Sequence, residues 1–358
     1  MSDKLAQLRI KIDALDEQLQ VLINTRAKLA QDVAAAKNDS DDTNFYRAER
    51  EAQVLEKVKS RNKGPLSDEE IARLFREMMS ACLALEQVMN IAFLGPEGTF
   101  TQSAALKHFG HSVKTLPLAS ITDVFREVES GNASYGVVPI ENSTEGVVSH
   151  TLDQFMNSNL HICGEVELRI HHHVLTNANA LSEIKVIYSH QQSLAQCREW
   201  LDTNLPGVEQ KSVSSNAEAA RLASSDYAVA AIAGDMAAEI YKLNTLVNNI
   251  EDEPDNTTRF LIIGKRETPA CGKDKTSILI STQNKSGALH GILAPLVKNK
   301  ISMTRIESRP SRRGMWDYVF FIDCEGHRDD KNVATAIAEL EQEARFVKVL
   351  GSYPRAVL

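Results

Sequence analysis

The first ninety residues carry apolar and polar positions at a helical spacing. Apolar or small side chains recur in steps of three and four and predict one amphipathic helix of more than thirty residues; they are Leu5, Leu8, Ile12, Leu15, Leu19, Leu22, Leu29, Val33 and Ala36. Two shorter helices are predicted over about 47–61 and 67–87, the second beginning with the capping-box pattern Ser67-Asp68-Glu69-Glu70. Because two shorter helices cannot cover so long an apolar stripe, we expect a second copy of the chain to pack against it.

From residue 91 to about residue 264, strand patterns alternate with helix patterns. This alternation predicts an α/β domain with a largely parallel sheet. Three segments recur 92 to 95 residues later, which suggests an internal repeat: 91–95 with 184–188, 120–126 with 215–221, and 135–140 with 227–232. Two similar lobes that face each other across a ligand-binding cleft would explain the recurrence. The alternative is a chance similarity between two ordinary βαβ units.

The last part of the chain, from about Lys275, has the pattern β-α-β-β-α-β. This is the ferredoxin-like order, with strands predicted at 276–283, 301–307, 317–324 and 347–352 and helices at 287–298 and 332–344. The three patterns divide the chain into domains predicted at 1–90, 91–267 and 275–352.

Composition narrows the class of protein. A length of 358 residues is more than one ordinary domain, and a net charge of −8 argues against a general nucleic-acid binder. The sequence has no apolar run near the ~18 residues of a membrane span and begins with charged residues rather than a signal peptide. Its five cysteines are scattered and never form CxxC, so we expect a cytoplasmic protein without disulfides or zinc.

Three cations on the first helix are candidates for binding a small dianion. Arg26 falls on the apolar stripe, where a buried cation needs an anionic partner. Lys37 lies ~20° around and ~16 Å along the helix from Arg26, so both side chains could reach one ligand. Arg9 is ~42 Å from Lys37 and could join that ligand only from a second chain. Alternatively, Arg26 pairs with a carboxylate at an interface, and the other two cations are solvated.

Polar loops mark a second candidate site between residues 91 and 264. The run from Pro139 to Gly146 ends a predicted strand, where open α/β sheets place their ligands. Asn256-Thr257-Thr258-Arg259 precedes another strand, although an Asx or ST turn would also explain it. The loop 95–101 could hold a carboxylate with its backbone amides or could be a plain tight turn. Residues 171–173 are histidines, but neighbouring strand positions face opposite ways, so we expect no metal there.

The helical segment resembles the all-helical chorismate mutases, which form an intertwined dimer with shared active sites. The match rests on residues 8–16, Asn24-Thr25-Arg26, Lys37 and Arg50-Glu51. The resemblance implies that Arg9, Arg26 and Lys37 hold the two carboxylates and the ether oxygen of chorismate. It also implies that Glu51 takes a hydroxyl and that Arg50 supports the site.

Two positions of the helical segment depart from the mutase pattern. Arg47 stands where an Asp is common, and Cys82-x-x-x-Glu86 replaces Ser-x-x-x-Gln, so these three residues also belong to the expected substrate-binding set. Glu86 can donate a hydrogen bond to the ether oxygen only when it is protonated, so mutase activity should fall as pH rises through its ionisation. The rearrangement needs no cofactor, because holding the reactive conformer beside cations is enough to accelerate it.

The middle segment is similar to prephenate dehydratases. The matching motifs are Gly95-Pro-Glu-Gly-Thr-Phe, Pro139-Ile-Glu-Asn-Ser-Thr-Glu-Gly, Gly164-Glu-Val-Glu-Leu, Tyr188-Ser-His and Thr257-Thr-Arg-Phe. The resemblance implies that Thr258 donates to the departing hydroxyl of prephenate while Asn142, Ser143 and Thr144 orient the substrate. The two carboxylates of prephenate suit an arginine together with hydroxyl and amide donors. Gln191 stands where most relatives have proline.

The final segment resembles the phenylalanine-binding ACT domains. The expected effector-binding residues are Gly287, Ala288 and Leu289 at a helix start and Glu307, Ser308, Arg309 and Pro310 at a strand end. ACT domains bind their amino acid between paired copies, which implies a homodimer or, alternatively, a tetramer that phenylalanine inhibits allosterically.

Taken together, the resemblances imply an all-α mutase domain, a two-lobed α/β dehydratase domain like the periplasmic binding proteins, and an α+β ferredoxin-like ACT domain. The expected activity is the conversion of chorismate to prephenate and of prephenate to phenylpyruvate, in phenylalanine biosynthesis, with no cofactor, metal, nucleic acid or membrane. One alternative is a two-lobed regulator without catalysis. Another is a dehydratase whose mutase domain has decayed, given Arg47 and Cys82.

Overall fold

The computed structural model describes residues 2–38, 46–282, 285–310 and 318–357, with the side chains of residues 2, 3, 37 and 38 left out of that description. Its helices are α1 (Ser2–Asn38), α2 (Ala48–Arg61), α3 (Asp68–Ala84), α4 (Phe100–Phe109), α5 (Ile121–Ser130), α6 (Ser149–Phe155), α7 (Gln191–Gln196), α8 (Arg198–Asn204), α9 (Asn216–Ala223), α10 (Asp235–Tyr241), α11 (Ala288–Lys298) and α12 (Lys331–Glu343).

The strands belong to three sheets. In chain order they are β1 (Asn90–Leu94), β2 (Lys114–Leu118), β3 (Tyr135–Asn142), β4 (Gly146–Val147), β5 (His161–Arg169), β6 (His173–Thr176), β7 (Val186–His190), β8 (Glu209–Val213), β9 (Val229–Ala233), β10 (Asn244–Val247), β11 (Thr257–Gly264), β12 (Asp274–Thr282), β13 (Met303–Pro310), β14 (Tyr318–Glu325) and β15 (Phe346–Pro354).

The N-terminal helices form the predicted all-α unit. The long apolar repeat makes one continuous helix, α1, of 37 residues. Helix α2 packs on α3 through buried apolar side chains that include Leu55 and Ala72. Helix α3 begins as the capping box predicts, because the Ser67 hydroxyl accepts the backbone N–H of Glu70 at 3.1 Å. The apolar stripe of α1 stays open in the single chain, with Leu15 56% and Leu22 64% exposed.

The middle segment folds into two lobes, each with its own sheet. The strand orders are β2-β1-β3-β11-β5 and β10-β6-β9-β7-β8. The prediction of a largely parallel sheet is wrong, because parallel pairing is confined to β2-β1-β3 and β8-β7-β9. The chain passes from the first lobe to the second after β5 and returns through β11. These crossing strands and their neighbours β6 and β10 pair antiparallel.

The internal repeat corresponds to equivalent elements of the two lobes. Strands β1, β2 and β3 of the first lobe match β7, β8 and β9 of the second in pairing and direction. The repeated serines cap equivalent helices: the Ser120 hydroxyl accepts from the N–H of Asp123 at 3.1 Å, and Ser215 accepts from that of Glu218 at 3.0 Å. Such shared local detail favours a real repeat over chance similarity.

The C-terminal sheet has the order β13-β14-β12-β15, is antiparallel, and carries α11 and α12, as the ferredoxin-like prediction requires. The sequence prediction extends two strands to Gln283 and Asp317, which lie outside the described residues. This sheet packs on the first lobe, where Leu261 shares a buried core with Phe321 and Tyr353. The fit is close at Gly351, where an added Cβ would collide with the backbone of Ile162 on β5.

Within the described ranges, none of the helices combines the length and the apolar character that crossing a membrane requires.

Candidate active sites

A cleft of about 470 Å³ opens between α1, α2 and α3; we call it the helical cleft. Three arginines and two carboxylates share it with mostly apolar side chains; its lining is Arg26, Leu29, Ala30, Val33, Tyr46, Arg47, Arg50, Glu51, Val54, Met79, Cys82, Leu83 and Glu86. Helical spacing explains the convergence, since Arg26, Ala30 and Val33 follow one face of α1. The Arg26 guanidinium donates to the Cys82 sulfur at 3.1 Å, so α1 and α3 are joined at the centre of this cleft.

Beneath the helical cleft lies a buried ion pair that the sequence motifs did not indicate. Arg76 binds Glu51 at 2.8 Å, and both side chains are largely buried. Burial raises the pKa of Glu51, while Arg76 and Arg26 oppose that rise. Arg76 also donates to the backbone carbonyl of His108, near the end of α4 in the first lobe. The one sequence signal for Arg76 is its helical spacing. It follows Ala72 by four residues and so lies on the same, buried face of α3.

A second cleft, of about 500 Å³, lies between the two lobes; we call it the interlobe cleft. The starts of α4, α5, α7 and α9 border it, and its polar lining is Thr99, Thr101, Asn142, Glu145, His172, His190, Gln192, Ser193, Gln196, Ser214, Ser215, Asn216 and Thr258. Among the described residues that line it there is no lysine or arginine. The donors available to ligand carboxylates in this cleft are therefore hydroxyl, amide, imidazole and backbone N–H groups.

Asn142 and Thr258 form the centre of the interlobe cleft. They are directly opposite each other on β3 and β11. The Asn142 Oδ1 accepts the backbone N–H groups of Thr144 at 3.0 Å and Glu145 at 2.9 Å, which fixes the orientation of the side-chain amide. The amide nitrogen then donates to Thr258 Oγ1 and to Asn256 Oδ1, each at 2.7 Å. Because Thr258 Oγ1 accepts a hydrogen bond from Asn142, its own hydrogen remains available for a ligand.

A chain of amides extends this centre to the second lobe. Asn256 Nδ2 donates to Gln196 Oε1 at 3.2 Å, and the Gln196 Nε2 donates to Glu145 at 3.4 Å. His172 Nε2 lies 2.9 Å from the same Gln196 oxygen. Burial lowers the pKa of His172, an effect that its bond to Gln196 partly offsets, so the imidazole is neutral at neutral pH and donates from Nε2. Gln196 therefore links the two lobes through Asn256, Glu145 and His172.

Comparisons with known proteins identify the family of this chain. The family profiles for chorismate mutase type II, prephenate dehydratase and the ACT domain match residues 8–87, 91–268 and 276–342. Two proteins named bifunctional chorismate mutase/prephenate dehydratase, from Stutzerimonas stutzeri and Pseudomonas aeruginosa, are each 57% identical to this chain; the alignments cover 100% and 99% of the chain and 99% of each relative. The chain belongs to the bifunctional chorismate mutase/prephenate dehydratase family.

Among solved structures, a prephenate dehydratase from Arthrobacter aurescens in complex with L-Phe is similar to this chain. Sequence identity is 35% and the TM-score is 0.69, over 75% of this chain and 90% of that one. The helical cleft thus belongs to the chorismate mutase domain and the interlobe cleft to the prephenate dehydratase domain.

The expected mutase residues are brought together in part. Arg26, Arg47, Glu51, Cys82 and Glu86 all line the helical cleft. Arg9 is exposed on the N-terminal half of α1 and is not among the lining residues, as the helix geometry predicts for one chain. Lys37 is at the end of α1, but its side chain lies outside the described residues.

Of the expected dehydratase residues, Asn142 and Thr258 face the cleft, whereas Ser143 and Thr144 do not line it. The Ser143 hydroxyl accepts the backbone N–H of Thr257 at 2.9 Å, so it holds the two loops together. Thr144 is exposed, and its backbone N–H orients Asn142.

The structure also locates two further residues of the dehydratase motifs, Arg259 and Gln191. The arginine expected to bind a carboxylate is missing from the described lining, because Arg259 of the Thr-Arg-Phe motif points to the opposite face of the sheet and binds Glu165 and Asp323. Gln191 is the first residue of α7, a position that suits proline as well as glutamine, so this departure is compatible with the same helix start.

The expected effector residues lie at two ends of ACT elements. Gly287 caps α11 with a φ of 81°, a conformation that glycine adopts without strain, and Leu289 is 44% exposed one residue into the helix. Glu307, Ser308, Arg309 and Pro310 end β13. Arg309 pairs with Asp153 of α6 at 2.9 Å, so its guanidinium faces the dehydratase domain.

The three adjacent histidines have protein partners. His171 Nδ1 is 2.7 Å from Glu251, and His173 Nδ1 accepts the N–H of Asn249 at 3.1 Å. Over the part of the chain that the structure describes, no group of three or more His, Cys, Asp or Glu residues is arranged to hold a metal ion.

Proposed function

We propose that this chain rearranges chorismate to prephenate in the helical cleft and converts prephenate to phenylpyruvate in the interlobe cleft. The observation that carries the second step is the Asn142–Thr258 pair, with its bond of 2.7 Å and the free hydrogen that it leaves on Thr258. Family membership supports both activities.

In the dehydratase step, Thr258 donates its free hydrogen to the ring hydroxyl of prephenate. The bond from the ring to its carboxylate breaks, the electron pair enters the ring, and hydroxide leaves from the opposite carbon. Aromatisation drives the step, so the enzyme mainly has to stabilise the departing hydroxide. Asn142 holds Thr258 at the right distance and keeps its hydrogen directed into the cleft.

Neutral donors are suited to this reaction. The backbone N–H groups at the starts of α4 and α9 border the cleft and can receive the side-chain carboxylate of prephenate. The ring carboxylate has to lose its charge as carbon dioxide. A cation beside it would stabilise the starting anion more than the transition state and so slow the reaction.

In the mutase step, the cations of the helical cleft hold chorismate in its reactive conformer. Arg26 and Arg47 from this chain, with Lys37, bind carboxylate and ether oxygens, and Glu51 binds the ring hydroxyl. Glu86, once protonated, donates to the ether oxygen on which negative charge develops. Arg76 fixes Glu51 from below, at 2.8 Å.

The mutase site is completed by a second copy of the chain. Support comes from α1, whose apolar positions from Leu5 to Val33 are about half exposed or more in one chain, which is unusual for a stable monomer. A symmetric dimer would bury this stripe and bring Arg9 of each chain to the other chain's helical cleft. Pairing of ACT domains could join such dimers into a tetramer.

Subunit complementation tests the shared mutase site. Arg9→Ala and Arg26→Ala chains should each have little mutase activity, but after co-expression about a quarter of the wild-type activity should return, because mixed dimers keep one intact site. The matched control combines Arg26→Ala with Glu51→Ala, two residues that line the cleft from one chain; every site then carries a substitution and nothing should return. Recovery in neither pair would contradict the exchange of Arg9 between chains.

Phenylalanine is the proposed allosteric effector. The support is the ACT domain and the related Arthrobacter aurescens structure, which contains L-Phe. Residues 287–289 and 307–310 would bind it between paired ACT domains. We place the enzyme in the cytoplasm, as its scattered cysteines suggest.

One assay with purified protein tests the whole proposal. Chorismate disappearance and phenylpyruvate formation should both be seen, and phenylalanine should suppress phenylpyruvate formation. Without either activity the chain would be a regulator; with phenylpyruvate formed only from added prephenate, its mutase domain would have decayed.

A further inference from the structure

The two central residues of the dehydratase site have immediate neighbours on the other face of the sheet. Strands β3 and β11 pair Thr258 with Asn142 and, at the next position, Arg259 with Glu141. Successive strand residues face opposite sides. The first pair therefore faces the interlobe cleft, and the second pair faces the ACT sheet that packs behind it.

Arg259 is held mainly by the ACT domain. Its guanidinium donates to Asp323 at 2.6 Å and to the Tyr353 hydroxyl at 3.0 Å, and to Glu165 of its own domain at 2.8 Å. The three ionised side chains are nearly buried, with 12% of Arg259, 7% of Asp323 and 1% of Glu165 exposed. A planar guanidinium that binds three fixed acceptors has little freedom to move independently of them.

The ACT side of this contact is itself tightly connected. The Ser277 hydroxyl donates to the second oxygen of Asp323 at 2.6 Å and lies 2.8 Å from the Tyr353 hydroxyl. Strands β12, β14 and β15 therefore present Asp323 and Tyr353 as one unit. On the neighbouring strand, Arg305 of β13 binds Glu141 at 2.9 Å, so both strands that carry the site are joined to the ACT sheet one residue away.

The backbone beside Arg259 has a regular ladder on one side only, because β5 pairs with β11 without interruption from Thr257 to Ile262. The β3–β11 register shifts between Arg259 and Phe260, where β3 carries an extra residue, Ile140. Such bulges interrupt pairing and leave the local strand position more dependent on other contacts. At the bulge, the side-chain bonds of Arg259 to Glu165, Asp323 and Tyr353 add to the pairing with β5.

We propose that Arg259 is a positioning residue for the dehydratase reaction, through which the ACT sheet sets the place of the Thr258 hydroxyl. This inference rests on the proposed roles of Thr258 as donor and of phenylalanine as effector. A change in the ACT sheet moves Asp323 and Tyr353, Arg259 follows, and the adjacent Thr258 shifts relative to Asn142. Misplacement of a catalytic group by ~1 Å can cost ~100-fold in rate, and the loss falls on kcat because other groups hold the substrate.

The test uses variants on the ACT side, outside the cleft. Asp323→Asn keeps the shape but removes the negative charge that faces the Arg259 guanidinium, and Tyr353→Phe removes one acceptor. We expect dehydratase kcat to fall about tenfold in Asp323→Asn with KM within about twofold, and less in Tyr353→Phe. Mutase activity should not change. Calorimetry should find phenylalanine bound with near-wild-type affinity, while saturating phenylalanine changes dehydratase activity less than in the wild type.

Matched variants separate positioning from general damage. Glu325→Gln removes a carboxylate two residues along the same strand face, where the partner is Arg355 at 2.5 Å, and should leave all three measurements unchanged. Arg259→Lys, which keeps the charge, should recover part of the kcat that Arg259→Met loses. Wild-type kcat and wild-type inhibition in both Asp323→Asn and Tyr353→Phe would overturn the proposal. If phenylalanine does not bind the wild-type protein, the effector assignment is wrong, and the kcat comparison alone decides the role of Arg259.

Discussion

The helical cleft places three arginines around a space of about 470 Å³, whereas the interlobe cleft, of about 500 Å³, has no lysine or arginine among its described lining residues. Both are proposed to bind small dianions. In the mutase reaction both carboxylates persist, and cations also stabilise the ether oxygen as it gains charge. In the dehydratase reaction one carboxylate must become neutral carbon dioxide, so a strong cation would oppose the chemistry.

The net charge also differs between the parts of the chain that contain the two clefts. Residues 1–90 carry −2 (14 basic and 16 acidic side chains), residues 91–267 carry −10 (12 and 22), and residues 268–358 carry +4 (14 and 10). The most acidic part of the chain therefore contains the site proposed for prephenate. Long-range attraction cannot concentrate the anion there, so binding depends on a few directed donors close to the ligand.

The largest expected effect concerns the donor in the interlobe cleft. Thr258→Ala removes the hydrogen bond to the departing hydroxide and should lower dehydratase kcat by about 10³-fold or more. Thr258→Ser keeps the hydroxyl and should keep much of the activity. Thr257→Ala is the matched control, because that hydroxyl donates to the Asp255 carbonyl at 3.1 Å, away from the cleft. Steady-state kinetics with prephenate measure all three, and an active Thr258→Ala protein would contradict the mechanism.

The corresponding change in the helical cleft should be smaller. Arg26→Gln keeps a donor but loses the charge, and mutase kcat/KM should fall about 10²-fold, or about 3 kcal/mol. Dehydratase activity should not change, since the two clefts are separate. Lys28→Gln serves as the control, because Lys28 is exposed and pairs with Asp32 at 3.4 Å on the outer face of α1. Equal losses in the two variants would show a nonspecific effect of charge.

These residues also show how far a sequence can be interpreted. Arg26 is visible because a cation interrupts an apolar stripe, and Thr258 because polar residues crowd the start of a strand. The Ser67 cap, the three-part fold and the internal repeat follow from similar local patterns. Local patterns do not show which partner a side chain binds across the fold. The buried partners of Arg76, the bridge made by Gln196 and the direction of Arg259 all depend on contacts between distant segments. The antiparallel crossing strands were missed for the same reason.

Local sequence patterns do not decide where each domain ends or which side chains a second chain contributes to a site. The predicted limits near residues 90 and 270 stay predictions. Lys37 and Arg9 are assigned by resemblance, and the helix geometry separates Arg9 from the cleft of its own chain.

The pH dependence of mutase activity tests the role of Glu86 in the helical cleft. Glu86 acts as a donor only when protonated, so wild-type mutase activity should fall by up to about tenfold per pH unit above the pH at which Glu86 ionises. Glu86→Gln donates at every pH and should have a flatter profile. Glu77→Gln, on the same helical hairpin but paired with His111, should keep the wild-type profile. Identical profiles for wild type and Glu86→Gln would refute the role.

The smallest expected effect tests the electrostatic comparison directly, within one unmodified protein. Added salt screens exposed charges, and the Debye length shortens from about 10 Å at 0.1 M to about 3 Å at 1 M. The open, arginine-lined helical cleft should therefore lose affinity, so that KM for chorismate rises several-fold between about 0.05 and 0.5 M potassium chloride. KM for prephenate should change less than about twofold over that range, because neutral donors hold it at short distance. An equal rise in both KM values would mean that cations also govern binding in the interlobe cleft, and that the described lining omits the groups that matter.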